Sequence, residues 1–99
     1  MTTPSADRFE QVSMLFRALA APVRLAIVEL LVLHYELQVH EIVAAVGVTQ
    51  ALISQHLRVL RQARLVVRIQ DGRRVTYRLR SADLSSVVGA GLAYYDEPS

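Results

Sequence analysis

The apolar residues of this chain change their repeat at Leu65, and that switch excludes most folds of this size. Upstream, from Gln50 to about Arg64, they recur at the spacing of one helix face. Downstream, Val66, Val67 and Ile69 are β-branched, and Asp71-Gly72 is a hairpin turn signal. Val75, Tyr77 and Leu79 then alternate with Thr76, Arg78 and Arg80, giving a strand with one apolar and one polar face. A helix must therefore run straight into a two-stranded hairpin. The hairpin tip, Asp71-Gly72-Arg73-Arg74, is basic.

The rest of the chain reads as helices. Phe9, Val12, Phe16 and Leu19 recur at helical spacing, with Ser5 or Asp7 as the cap. Ala20-Ala21-Pro22 ends that helix, because the residue before proline is pushed out of the helical region. Pro22 suits the first position of a second helix, whose buried stripe is Val23, Ile27, Leu30 and Leu31. His34 to Gln38 reads as a connection. Val39 to Val46 is a short helix with Gly47 as its C-terminal cap, and Thr49 is the N-cap of the next. Helix, glycine turn, helix is the helix-turn-helix layout. After the hairpin, Ser81 caps a last helix on which Leu84, Val87, Val88, Gly91, Leu92 and Tyr95 share one face. Gly89 and Gly91 each cost about 1 kcal/mol relative to alanine, so this helix either packs on a partner or frays.

The expected fold is mainly α with a small β-hairpin, a winged helix-turn-helix in the order ααααββα. Residues 1–99 form one domain, with short flexible ends at about 1–6 and 96–99. So short a chain has a small core, yet 53% of its residues are hydrophobic and only 6% aromatic. The surplus is aliphatic surface, and a dimer interface is the simplest place for it.

Composition also removes function classes. There is no cysteine, hence no disulfide framework, Cys-ligated zinc finger, iron–sulfur cluster or thiol redox chemistry. The richest apolar stretch, Val23 to Leu33, contains Arg24 and Glu29, which argues against a membrane span. The segment MTTPSADRFE lacks the basic-then-apolar order of a signal peptide, so a soluble cytoplasmic protein is expected.

Charge is distributed unevenly. All 11 basic residues are arginine, eight of them lie between Arg58 and Arg80, and the only acid from Val48 to Ala82 is Asp71. This asymmetry points to a polyanion partner; the bland alternative is a solvated basic face. Advancing about 100° per residue from Gln50 places Gln50, Ala51, Ser54, Gln55, Arg58, Arg61 and Gln62 within roughly 140°. Leu52, Ile53, His56, Leu57, Val59, Leu60 and Ala63 fill the other side. Amides and hydroxyls on the first face suit base edges, and arginines suit phosphate or guanine. An ordinary solvated face would mix both signs of charge.

Catalysis is not expected. Ser54 and His56 are neighbours in sequence but point about 200° apart on a helix, too far for a nucleophile and its base. His56 reads instead as a partly buried histidine bonded to backbone or to a neighbouring helix.

Three segments then resemble one family. Phe16-Arg17-Ala18-Leu19-Ala20-Ala21-Pro22-Val23-Arg24-Leu25 resembles the opening of ArsR/SmtB-type bacterial transcriptional repressors. Ser54-Gln55-His56-Leu57-Arg58-Val59-Leu60 resembles their recognition helix, and Gly72-Arg73-Arg74-Val75-Thr76-Tyr77-Arg78-Leu79 their wing. The likeness covers about Met14 to Val88. It implies a homodimer, joined through the first and last helices, on inverted-repeat double-stranded operator DNA. Base-proximal positions then fall on Thr49, Gln50, Ala51, Ser54 and Gln55, with Arg58, Arg73 and Arg74 as further DNA contacts. The expected dimer residues are Leu84, Val87, Val88, Leu92 and Tyr95.

Sensing departs from the family. Where the resemblance places a cysteine box, this chain has Gln38-Val39-His40, and on the last helix it has Ser81, Asp83, Tyr94 and Glu97. No cofactor is certain. The donors that remain, His34, His40, Asp83 and Glu97, offer at most a weak nickel or zinc site of nitrogen and oxygen ligands, or one completed by a co-regulator protein. The alternatives are a metal-independent regulator, or a winged-helix interaction module that has lost DNA binding. The module should carry acids or exposed aliphatics on the recognition face.

Overall fold

The computed structural model describes residues 6–96. Helix α1 (Ala6–Leu19) packs on α2 (Pro22–His34), and strand β1 (Glu36–Leu37) leads into α3 (Val39–Val46) and α4 (Gln50–Gln62). Strands β2 (Val66–Asp71) and β3 (Arg74–Leu79) form the hairpin, and α5 (Asp83–Asp96) closes the chain against α2. Ala6 and Asp96, expected in flexible ends, are helical, in α1 and α5; the rest of both ends lies outside the described residues, as does Ser5. Asp7 is in the first turn of α1, where its charge complements the helix dipole rather than capping it.

The breaks fall where the sequence puts them. Ala21 is extended (φ −151°, ψ 132°), and Pro22 opens α2. Gly47 is left-handed at φ 81° and donates its N–H to the Val43 carbonyl at 2.9 Å, ending α3. Thr49 Oγ1 accepts the Leu52 N–H at 3.2 Å, starting α4. Ser81 Oγ accepts the Asp83 N–H at 3.1 Å at the start of α5.

One element differs from expectation. The connection after His34 contains β1, so the order is ααβααββα and the sheet has three strands, β1-β3-β2, all antiparallel. Two residues carry no readable alternation, and the pairing Glu36↔Arg78 and Leu37↔Tyr77 is made entirely by β3. The Thr76 hydroxyl, on the face read as polar, is buried and donates to Glu36 Oε1 at 2.7 Å. Adding β1 covers that position, and the carboxylate supplies the partner that a buried hydroxyl requires.

The core lies where α2, α3 and α4 meet: Ile27, Val28, Ile42, Ile53, Leu57 and Leu60 are essentially inaccessible. On α4 the buried line is therefore Ile53, Leu57 and Leu60, narrower than the apolar arc. Leu52, expected inside, is 44% exposed, because it sits in the first turn and beside that line rather than on it. Helix α4 ends in a turn in which Arg64 N–H bonds the Arg61 carbonyl and Leu65 N–H reaches back to the Leu60 carbonyl, both at 2.9 Å. This is a Schellman ending, and its left-handed residue is Arg64, at φ 64°.

Candidate nucleic-acid interface

Three residues, Gly47 to Thr49, join α3 to α4, and the two helices turn through 111°. Burying Ile42 on one helix and Ile53, Leu57 and Leu60 on the other fixes that angle, which lies in the helix-turn-helix range. The unburied side of α4 is thereby held outward. Gln50, Ser54, Gln55 and Arg58 are all exposed there, and no acid shares the face. Thr49 is exposed too; one lone pair of its oxygen is committed to the cap, which leaves its hydroxyl proton and a second lone pair for a ligand. Leu52 joins this face as its one exposed leucine, a group suited to a thymine methyl. Sequence reading missed it because helical phase alone does not locate the centre of the buried arc.

A second feature flanks the first. The hairpin tip is closed by the Asp71↔Arg74 pair, with Gly72 at φ 61°, and it presents exposed Arg73 and Arg74. Below the tip, Arg68 Nη1 donates to Gln70 Oε1 and Gln70 Nε2 donates to the Gly72 carbonyl, each at 3.3 Å, bracing the turn.

His56 is half-buried and tied to α2. Arg24 Nη1 lies 3.2 Å from its Nδ1, and Arg24 Nε donates to the Ala18 carbonyl at 2.6 Å. A guanidinium can only donate, so His56 Nδ1 accepts and its proton resides on Nε2. Of the two partners expected, backbone or a neighbouring helix, it is the neighbouring helix that supplies the bond. It also removes His56 as a partner for Ser54.

The residues expected at a subunit interface divide. Leu84 and Val88 are 5% and 6% exposed, engaged in the protomer's own core because α5 docks on α2 at its first two turns. Val87 is half-buried, while Leu92 and Tyr95, further along the same face, are 49% and 86% exposed. They line a groove of about 660 Å³ between α1, α2 and α5, opposite Phe16 and Leu25. The Phe9 and Val12 side chains, whose spacing marks α1 as a helix, are exposed as well.

The metal candidates do not converge. Among the described residues no three His, Asp or Glu side chains are grouped to hold an ion. His34 ends α2, His40 lies in α3 and Asp83 begins α5, all exposed; Glu97 lies outside the described residues. The nearby carboxylates are already engaged: Glu41 Oε1 accepts the Gln38 N–H at 2.8 Å, capping α3, and Glu36 accepts from Thr76. This donor set does not fit a preassembled metal site. Nickel and zinc should each bind the protein at micromolar affinity or weaker, worth about 8 kcal/mol or less, in calorimetric titration. A nanomolar, stoichiometric isotherm would contradict this.

Among the described residues no single helix is long and apolar enough to cross a membrane. Comparison with known proteins agrees with the geometry. The profile of the family "Bacterial regulatory protein, arsR family" matches residues 21–67, the span from the Pro22 break to the first strand of the wing. The HTH-type transcriptional repressor SmtB of Mycobacterium tuberculosis is 42% identical over 94 residues, covering 95% of this chain and 69% of that protein. Among solved structures, HlyU from Vibrio cholerae superposes with a TM-score of 0.82 at 27% identity, over 94% of this chain and 100% of that one. A homodimeric winged helix-turn-helix DNA-binding domain from Mycobacterium bovis does so with a TM-score of 0.82 at 30% identity, over 98% of this chain and 92% of that one. On this identity and this fold, the chain belongs to the ArsR/SmtB family of winged helix-turn-helix regulatory proteins.

Proposed function

We propose that this protein is a non-enzymatic transcriptional regulator, a repressor that binds inverted-repeat operator DNA as a homodimer in the cytoplasm. The observation that carries the reading is the acid-free outward face of α4, set at 111° to α3 and flanked by an arginine-tipped hairpin. A duplex major groove admits a helix presented in this way, with its N-terminal residues against base edges. Thr49, Gln50, Ser54 and Gln55 read bases, while Arg58, Arg73 and Arg74 hold phosphates. The second copy lies on the groove lined by Phe16, Leu92 and Tyr95, which gathers the apolar surface that α1 and α5 leave exposed. The related repressor and the homodimeric domain support both halves of this reading. Weak modulation by nickel or zinc through nitrogen and oxygen ligands, and its alternative, a metal-independent regulator, are separated by the calorimetric titration above.

The two sets of contacts have separable effects. Gln50→Ala or Ser54→Ala should erode preference for the operator over random DNA by roughly 1–3 kcal/mol. Arg73→Ala with Arg74→Ala should weaken both equally and flatten the salt dependence. Competition titrations with DNA from upstream of the protein's own gene measure both. The reverse assignment would mean that α4 lies differently in the groove, and an absence of DNA binding would favour the protein-interaction module.

A further inference from the structure

Continuous with the arginine end of the α4 face there is a third basic feature. Five arginines, Arg58, Arg61, Arg64, Arg68 and Arg80, surround an open cleft of about 550 Å³ at the far end of α4, and no carboxylate lines it. The chain builds this cleft deliberately. The Schellman turn brings Arg64 to its mouth, and the Arg80 N–H, bonded to the Leu65 carbonyl at 3.0 Å, pins the end of β3 beside that turn. Val66 and Val67 form the floor.

Arg64 is the telling residue. It occupies a left-handed position, φ 64°, where glycine is favoured and any Cβ is strained. A cation near a helix C-terminus is favoured by the dipole, but that end carries only about half a negative charge, far short of five guanidinium groups. Guanidinium groups stay charged at every working pH, and Asp83, in the adjoining cavity with Arg64 and Arg80, offsets one charge at most, so the cluster keeps an excess of positive charge that favours an anion. A single phosphate ester brings roughly two charges at most, whereas closely spaced phosphates bring enough to match. Arginine's planar fork suits phosphate oxygens in pairs.

We propose that the cleft between the end of α4 and β2 binds closely spaced phosphate groups, supplied by consecutive backbone phosphates of a DNA strand or by a free oligophosphate. The DNA source rests on the DNA-binding reading above; the free-anion source does not. Arg58 and Arg61 continue the outward face of α4, about 16 Å of helix separating Gln50 from Arg61.

The test uses the intact protein, Arg64→Gly, and the double variant Arg68→Ser with Arg80→Ser. Arg64→Gly relieves the backbone, so its melting temperature should not fall. Each variant is titrated with sodium tripolyphosphate, and with duplex DNA across a salt series. For wild type we expect one tripolyphosphate per chain, weakened about tenfold or more in Arg64→Gly. The slope of log affinity of the dimer for DNA against log salt should fall by about two for each arginine substituted, one from each chain. Tripolyphosphate loss alone identifies a free anion as the source, and DNA loss alone identifies the strand. If both responses match wild type in every variant, the proposal is wrong. Wild type binding tripolyphosphate but not DNA would sink the DNA reading and leave this one standing.

Discussion

Raising salt from 50 to 200 mM should weaken binding of this protein to operator DNA about a thousandfold. Arg58, Arg73 and Arg74 are exposed on each protomer, so a dimer offers six guanidinium groups to phosphates. Each contact releases condensed counterions, giving a slope near −5 in log affinity against log salt; a fourfold rise in salt then costs about three decades. Occupation of the cleft at the end of α4 would steepen this further. Fluorescence anisotropy at several salt concentrations measures the slope. A response of less than tenfold would show that the arginines face solvent rather than phosphate.

Leu92→Glu should convert the dimer to a monomer and lower operator affinity by about 10²–10⁴-fold. Leu92 is half-exposed in the protomer and lines the groove between α1, α2 and α5, so a carboxylate there remains hydrated in the monomer. In the dimer the same charge would be desolvated against an apolar partner surface, which is unfavourable without a counter-charge. Each monomer then meets only one half-site and loses the effective concentration that linkage to a second copy provides. Sedimentation with a parallel DNA titration checks both parts. An unchanged melting curve for the monomeric variant separates this effect from unfolding. A Leu92→Glu protein that stays dimeric would place the interface elsewhere.

The helices and hairpin were legible because each carries its own local signal. Pro22 can only open a helix, Gly47 takes the left-handed position that ends one, and Asp71-Gly72 turns a hairpin. Strand β1 was not legible, since a two-residue strand exists only through its partner β3. Thr76 was misplaced for the same reason: its burial depends on Glu36, 40 residues away. The exposed face of α4 followed from periodicity, but Leu52 did not, because the buried arc is set by how α2 and α3 lie against it. The arginine cleft needed three dimensions. Its five members come from α4, the turn after it, and both β2 and the residue following β3. The interface residues divided because α5 changes its role along its length, docking on α2 at Leu84 and Val88 before running free at Leu92.

Arg24 ties these parts together mechanically. One guanidinium grips the carbonyl at the end of α1 and the imidazole in the middle of α4, so α1, α2 and α4 are tied together at one point. In the proposed dimer, two such blocks joined at a seam would act like the jaws of a calliper. The gap between the two reading helices of that dimer would then be set at the hinge where the copies meet. A small tilt at the seam is carried undiminished to both tips, and the pitch of the duplex becomes the gauge against which the pair is measured.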